Sequence, residues 1–205
     1  MAKIIQHNLF STPVQVVQIV PTKEQFEVTD RLLSRIYADC EENVWALEDG
    51  KSTGQTGLSL HGCPEMDWLS KVALHHAQEY WKTLGYIQRP DIWLDLDSSW
   101  ANLHKQGQST GEHSHCGGWS RAHISAVYYF KKPANSGNIE FVHPLEYVLR
   151  MTPAEEFSEM NGVYNEFPAE QFDLVMFPSW LSHRTQINKS TEDRIAISMN
   201  FQGKK

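Results

Sequence analysis

Apolar and polar positions divide the chain into a helical first part and a β-rich second part. Between Pro13 and Pro21 the segment Val14 to Val20 alternates well enough to predict a strand. From Thr22 to about Glu42, Phe26, Leu32, Leu33, Ile36 and Tyr37 fall near helical spacing. Lys51 to Leu60 is rich in Gly, Ser and Thr and reads as a loop. A second helix is expected from Trp68 to about Leu84, capped by Asp67, ended by Gly85, and burying Leu69, Val72, Ala73, Tyr80 and Leu84. After Pro90 the period shortens. Strands are expected at Ile92 to Leu96, Ser99 to His104, Ala122 to Phe130, Ile139 to Val142, Asp173 to Phe177, His183 to Ile187 and Arg194 to Phe201. Residues 144–170 are polar, hold three prolines, and read as an irregular insertion at the mouth of a barrel. Helices packed outside a β-sandwich or barrel follow, as a single domain over 1–205 with a helical support (1–90) and a β core (91–205).

The 205 residues carry a formal net charge of -7 with ten histidines, which disfavours nucleic acid as a partner. No stretch reaches the roughly 18 apolar residues of a membrane helix. The start of the chain has no leader pattern, and the three cysteines (Cys40, Cys63, Cys116) form no CxxC pair. A cytoplasmic protein with free thiols is expected.

The chemistry concentrates at Gly111-Glu112-His113-Ser114-His115. In a strand, residues i and i+2 share a face, so His113 and His115 can share a metal while Glu112 points away. His183, at the start of a later strand, supplies a distant third ligand. Two near ligands plus one far histidine suit a facial metal site with open positions, here with histidine where a carboxylate is usual. In a chain with ten histidines an HxH pair can also arise by chance. His61, His75, His76 and His143 lack such partners and read as surface or packing residues, and Cys116 as a bystander.

The last strand raises the odds. One face carries Ile195, Ile197, Met199 and Phe201, and the other Arg194, Ala196, Ser198 and Asn200. Small and polar residues headed by Arg suit a cavity that holds an anion, since Arg offers a carboxylate a two-pronged fork. On the strand Ala122 to Phe130, His123, Ser125, Val127 and Tyr129 share a face, and the Tyr129 hydroxyl could join Arg194 on one carboxylate. Trp100, Asn102 and His104 form a further candidate wall, with Asn102 either donating to an acid group or closing a turn.

Together these residues resemble the 2-oxoglutarate and iron(II)-dependent oxygenases, and in particular an uncharacterised family of similar length within that superfamily. The resemblance runs from Leu9-Phe10-Ser11-Thr12-Pro13-Val14 through Ser99-Trp100-Ala101-Asn102, the HxH segment, Ile124 to Phe130 and Ser136 to Phe141. It ends with Phe177-Pro178-Ser179-Trp180-Leu181-Ser182-His183 and Arg194 to Phe201. The order HxH, tyrosine strand, distal histidine, arginine is also similar to prolyl hydroxylases, where the first motif is HxD. The resemblance implies a double-stranded β-helix, the jelly roll of the cupins. It implies iron(II) at His113, His115 and His183, and 2-oxoglutarate as cosubstrate at Arg194 and Tyr129; Asn102 and Ser198, from the faces they occupy, are expected to line its pocket. The implied reaction couples oxidative decarboxylation of 2-oxoglutarate to hydroxylation of a substrate the sequence does not identify. Expected partners are 2-oxoglutarate, O2 and that substrate; a homodimer is compatible with the chain, and no membrane partner is expected. Two other readings stay open: a cupin-like three-histidine protein (dioxygenase, isomerase or hydrolase) that does not use 2-oxoglutarate, and a non-catalytic jelly-roll binding module.

Overall fold

The computed structural model describes residues 3, 5, 11–41, 47–48, 50–87, 89–117 and 120–204. Helix α1 (Lys23–Ala38) begins at a capping box: Thr22 Oγ1 accepts the Gln25 backbone N–H, and Gln25 Oε1 accepts that of Thr22. It buries Leu32, Leu33, Ile36 and Tyr37 as its period requires. It stops at Ala38, short of the expected Glu42, which lies outside the described residues.

Helix α2 (Asp67–Thr83) differs from expectation in two ways. Asp67 is its first helical residue and Met66 the cap. Val72 is exposed, and Ala77 and Trp81 join Leu69, Ala73 and Tyr80 on the buried face. Its end is as expected. Gly85 adopts φ +76°, its N–H reaches Lys82 O and that of Tyr86 reaches Trp81 O, while the Trp81 and Tyr86 rings pack at 4.4 Å. This is a Schellman stop with its apolar clasp.

The strands are β1 (Gln15–Gln18), β2 (Leu47–Glu48), β3 (Lys51–Ser52), β4 (Trp93–His104), β5 (Ser109–Thr110), β6 (Cys116–Gly117), β7 (Ser120–Arg121), β8 (Ile124–Lys131), β9 (Ile139–Val142), β10 (Tyr164–Phe167), β11 (Asp173–Pro178), β12 (His183–Thr185) and β13 (Arg194–Lys204). The two strands expected over 92–104 are thus one. Lys51 to Leu60 is not all loop: it holds β3 and a 3-10 turn, Thr53–Thr56. The polar insertion contains helix α3 (Glu146–Met151) and β10. Their sequence hides them because α3 buries nothing and β10 is an edge strand with only Phe167 packed inward.

The major sheet runs β1-β11-β8-β13-β4-β3 and the minor sheet β10-β9-β12, with every pair antiparallel. Strands from the N-terminal part thus form both edges of the major sheet. That sheet has two buried faces. Ile124, Ala126, Tyr128, Phe130, Ile195, Ile197, Met199 and Phe201 meet the helices, with Phe26 stacked on Phe130 at 4.7 Å and Trp68 edge-on to Tyr128. Each such large side chain contributes about 1.5–3 kcal/mol by leaving water. The opposite face meets the minor sheet through a smaller core of Tyr129, Ile139, Phe141, Val175, Phe177 and Ala196. The architecture is the double-stranded β-helix expected from the sequence.

Strand register fixes what lines the interior. Across the sheet Tyr129 lies beside Ala196 and Ala196 beside Asn102; Arg194 lies beside His104 and Ser198 beside Trp100. Adjacent partners share a face, so the polar residues of β13 form a band between the sheets. His123, expected on this face, lies before β8 and packs edge-on to Trp81 instead. No helix among the described residues is long and apolar enough to cross a membrane.

Candidate metal centre and cosubstrate pocket

His113 and His183 exchange backbone hydrogen bonds of 2.9 and 3.0 Å as an isolated antiparallel bridge. The His115 N–H is held by Ser179 O at 2.9 Å. The HxH segment is therefore not the regular strand the spacing suggests; two separate anchors bring its rings together. One ring nitrogen from each of His113, His115 and His183 lies within 4.8 Å of the others. Glu112 points away, as expected, and is exposed with Ser182 Oγ at 3.3 Å.

The ring hydrogen bonds show which nitrogen is available. His113 Nδ1 lies 2.9 Å from Gly111 O and His183 Nδ1 lies 3.0 Å from Leu181 O. A carbonyl only accepts, so both Nδ1 atoms carry the proton and both Nε2 lone pairs are free for a metal. Rings of Phe177 and Phe141 pack against His183, and Trp100 lies 5.4 Å from the His115 ring. Burial lowers His115 to about 4 and His183 to about 3, with neighbouring His113 adding to both. These two rings are neutral at pH 7, the form a metal needs.

Arg194 is only 1% exposed, and none of the ion pairs among the described residues involves it. Its Nη1 donates to Ser136 O and Gln186 O, and its Nη2 to Thr185 Oγ1. A guanidinium has five N–H donors, so two remain for a ligand. Desolvation lowers Arg194 to about 10, which still leaves it charged. The Tyr129 hydroxyl is buried and, among the described residues, has no partner in good hydrogen-bond geometry; burial raises its pKa to about 12, against the Arg194 charge and the Ile139 backbone N–H. A buried cation with spare donors beside an orphaned hydroxyl fits an incoming carboxylate. The donor set thus fits both implied groups: neutral imidazoles for iron(II), and an anion cradle for 2-oxoglutarate.

Asn102 stands two strands from Tyr129 across Ala196, its Oδ1 buried and unpartnered. Ser198 is buried on the same band. Sequence reasoning missed Thr185, although it follows His183 by two residues and so shares its face. It named His104 only as a wall. His104 is buried beside Arg194, hydrogen bonded to Thr110 Oγ1 at 2.9 Å, and lowered to about 3 by burial and then by the Arg194 charge. The carbonyl of Ser136 left no sequence signal, being backbone.

Two expected results arise here. Gly137 has φ +80°, and a Cβ there would lie 2.9 Å from Gln186 O and 3.0 Å from Ile187 O. Gly137→Ala combines a left-handed backbone with overpacking next to the Ser136 carbonyl. A loss of about 2–4 kcal/mol in denaturant melts is expected, with weaker 2-oxoglutarate binding. The second concerns pH. His104, His115 and His183 are all lowered in the native state, so below pH 6.5 the unfolded chain takes up protons that the native state refuses. Stability must fall as pH falls, over the window from 6.5 down to about 3–4. Each histidine accounts for about 2 kcal/mol between pH 7 and 5. Urea unfolding of the metal-free protein at the two pH values checks this; equal stabilities would contradict it.

A jelly roll in which three histidines converge, with a buried arginine on the same interior band, has the donor set of a mononuclear metal site. Residues 98–200 match the family model described as "Putative 2OG-Fe(II) oxygenase", and the chain belongs to that family. It is accordingly an oxidoreductase whose cofactors are iron(II) and 2-oxoglutarate. Among curated proteins no sequence match is found. Solved structures match in fold. A Pseudomonas putida prolyl-4-hydroxylase is 13% identical with a TM-score of 0.62, over 95% of this chain and 94% of that one. A Trichoplax adhaerens prolyl hydroxylase, in complex with a hypoxia inducible factor peptide, is 12% identical with a TM-score of 0.61, over 95% and 85%. HygX from Streptomyces hygroscopicus, with nickel, 2-oxoglutarate and hygromycin B bound, is 11% identical with a TM-score of 0.57, over 93% and 83%.

Proposed function

We propose that the chain acts as one oxygenase domain that hydroxylates an organic substrate, with His113, His115 and His183 holding iron(II) through Nε2. Arg194 and Tyr129 hold the distal carboxylate of 2-oxoglutarate, and Asn102 and Ser198 line its pocket. When bound, iron(II) with 2-oxoglutarate and O2 supplies an oxidant strong enough for C–H bonds, releasing succinate and carbon dioxide. The protein's own work is positional. The carbonyls of Gly111 and Leu181 fix two imidazole tautomers, and Phe141 and Phe177 keep water from the His183 side. Thr185, Ser136 and Gln186 aim the Arg194 fork.

The observation that carries this reading is Arg194, fully buried, charged and, among the described residues, without a carboxylate of its own. A three-histidine cupin-like enzyme with no 2-oxoglutarate would leave that cation uncompensated, and a mere binding module would need neither it nor the histidines. Free Cys40, Cys63 and Cys116 support a reducing, cytoplasmic setting. The test is succinate formation from 2-oxoglutarate by the iron-loaded protein in air, with and without pooled candidate substrates. Slow uncoupled turnover is expected, rising with a true substrate and absent in His183→Ala. Oxygen uptake with no succinate would favour the cupin-like reading.

A further inference from the structure

His115 differs from the other two histidines in what holds its ring. Among the described residues no carbonyl holds its Nδ1, which lies 3.4 Å from Nδ2 of Asn200. The Asn200 Oδ1 accepts from Ser125 Oγ at 2.8 Å, and Ser125 Oγ lies 2.9 Å from Ser179 Oγ. Ser179 in turn accepts the His115 backbone N–H through its carbonyl. Asn200, Ser125 and Ser179 are all buried, so these groups have no water to turn to.

This closed chain, Ser179–Ser125–Asn200–His115, admits two proton arrangements. With Nδ2 toward the ring, Asn200 donates to a bare Nδ1. The single ring proton then sits on Nε2, and the lone pair that a metal needs is lost. With the amide turned half a revolution, its heavy atoms nearly coincide. Oδ1 then accepts Nδ1–H, Nδ2 donates to Ser125 Oγ, Ser125 donates to Ser179 Oγ, and Nε2 is free. The two forms use the same heavy-atom contacts with opposite donor directions, and only the second leaves Nε2 competent.

We infer that Asn200 is the positioning residue of the metal centre, its amide selecting the His115 tautomer that presents Nε2 to the ion. This rests on the reading of His115 as a ligand. It makes a specific demand of the site with no first-sphere carboxylate: an acceptor on β13 must do for His115 what backbone carbonyls do for His113 and His183. Outer partners of metal-bound histidines commonly change affinity about 10- to 100-fold.

The experiment is an anaerobic iron(II) titration of the whole chain against a competing chromophoric chelator, for the parent, Asn200→Leu and Asn200→Asp. Circular dichroism monitors the fold, and long-range 1H–15N NMR of the zinc-loaded parent reads each ring tautomer. Asn200→Leu is expected to bind about 10- to 100-fold more weakly. Asn200→Asp, an obligate acceptor, should equal or exceed the parent, and His115 of the parent should carry its proton on Nδ1. A folded Asn200→Leu protein within threefold of the parent would overturn the inference, as would zinc bound with the His115 proton on Nε2. Should Asn200→Leu not fold, the Asp variant and the tautomer decide: weaker binding by Asn200→Asp overturns the inference, and equal or tighter binding with Nδ1–H supports it. A parent that binds no metal would instead overturn the proposed function on which the inference rests.

Discussion

Arg194→Ala should weaken 2-oxoglutarate binding at least about 30-fold while leaving iron bound. The guanidinium lies on the first residue of β13, beside His104 and with Thr185, Ser136 and Gln186 holding its far edge. A carboxylate would complete the set, and removing one partner of a buried charged contact costs on the order of 2–5 kcal/mol, roughly 30- to 5,000-fold. Arg194→Lys should rescue little, because a point charge on a flexible stem does not reproduce the fork or the three bonds that aim it. Tyr129→Phe should cost less, about 0.5–1.5 kcal/mol, or up to 3 against a charged partner. The measurement is calorimetric titration of the metal-loaded variants with 2-oxoglutarate. An Arg194→Ala protein that titrates like the parent would place the anion site elsewhere.

His183→Ala should abolish stoichiometric iron(II) binding. Its ring is nearly fully buried, held by Leu181 O, and packed by Phe141 and Phe177, so it is pre-aimed at the cluster. Losing a ligand must exceed the 10- to 100-fold cost of losing an outer partner. His113→Ala and His115→Ala should behave alike. His75→Ala, on helix α2 away from the cluster, should bind as the parent does. Metal analysis after anaerobic loading and desalting reads the result directly; full occupancy in His183→Ala would remove that residue from the site.

The parts of the molecule legible from sequence are those governed by local period. The two faces of β8 and β13 and the buried stripe of α1 follow from spacing alone, and so does the convergence of residues separated by two positions, as with Arg194, Ala196 and Ser198. The glycine stop of α2 was legible for the same reason: one backbone angle needs one residue type. What stayed hidden depends on contacts distant in sequence. The HxH rings meet because His113 bridges His183 and His115 hangs from Ser179, not because they lie in one strand. Ser136 contributes only a carbonyl, and β10 is a polar edge strand whose partner, β9, decides its conformation. Asn200 was visible as a polar residue on the cavity face, but its link to His115 crosses 85 residues and needs the register of β8 against β13 to be seen.

The central claim is that one cavity holds iron(II) at the three histidines and 2-oxoglutarate between that iron and Arg194. The most direct measurement is the absorption spectrum of the anaerobic iron(II)-loaded protein during titration with 2-oxoglutarate. A saturable metal-to-ligand charge-transfer band is expected, because the band requires the keto acid to chelate the same iron that the histidines hold. It should need far more 2-oxoglutarate in Arg194→Ala and be missing in His183→Ala. A parent protein that binds iron yet shows no band at millimolar 2-oxoglutarate would contradict the account.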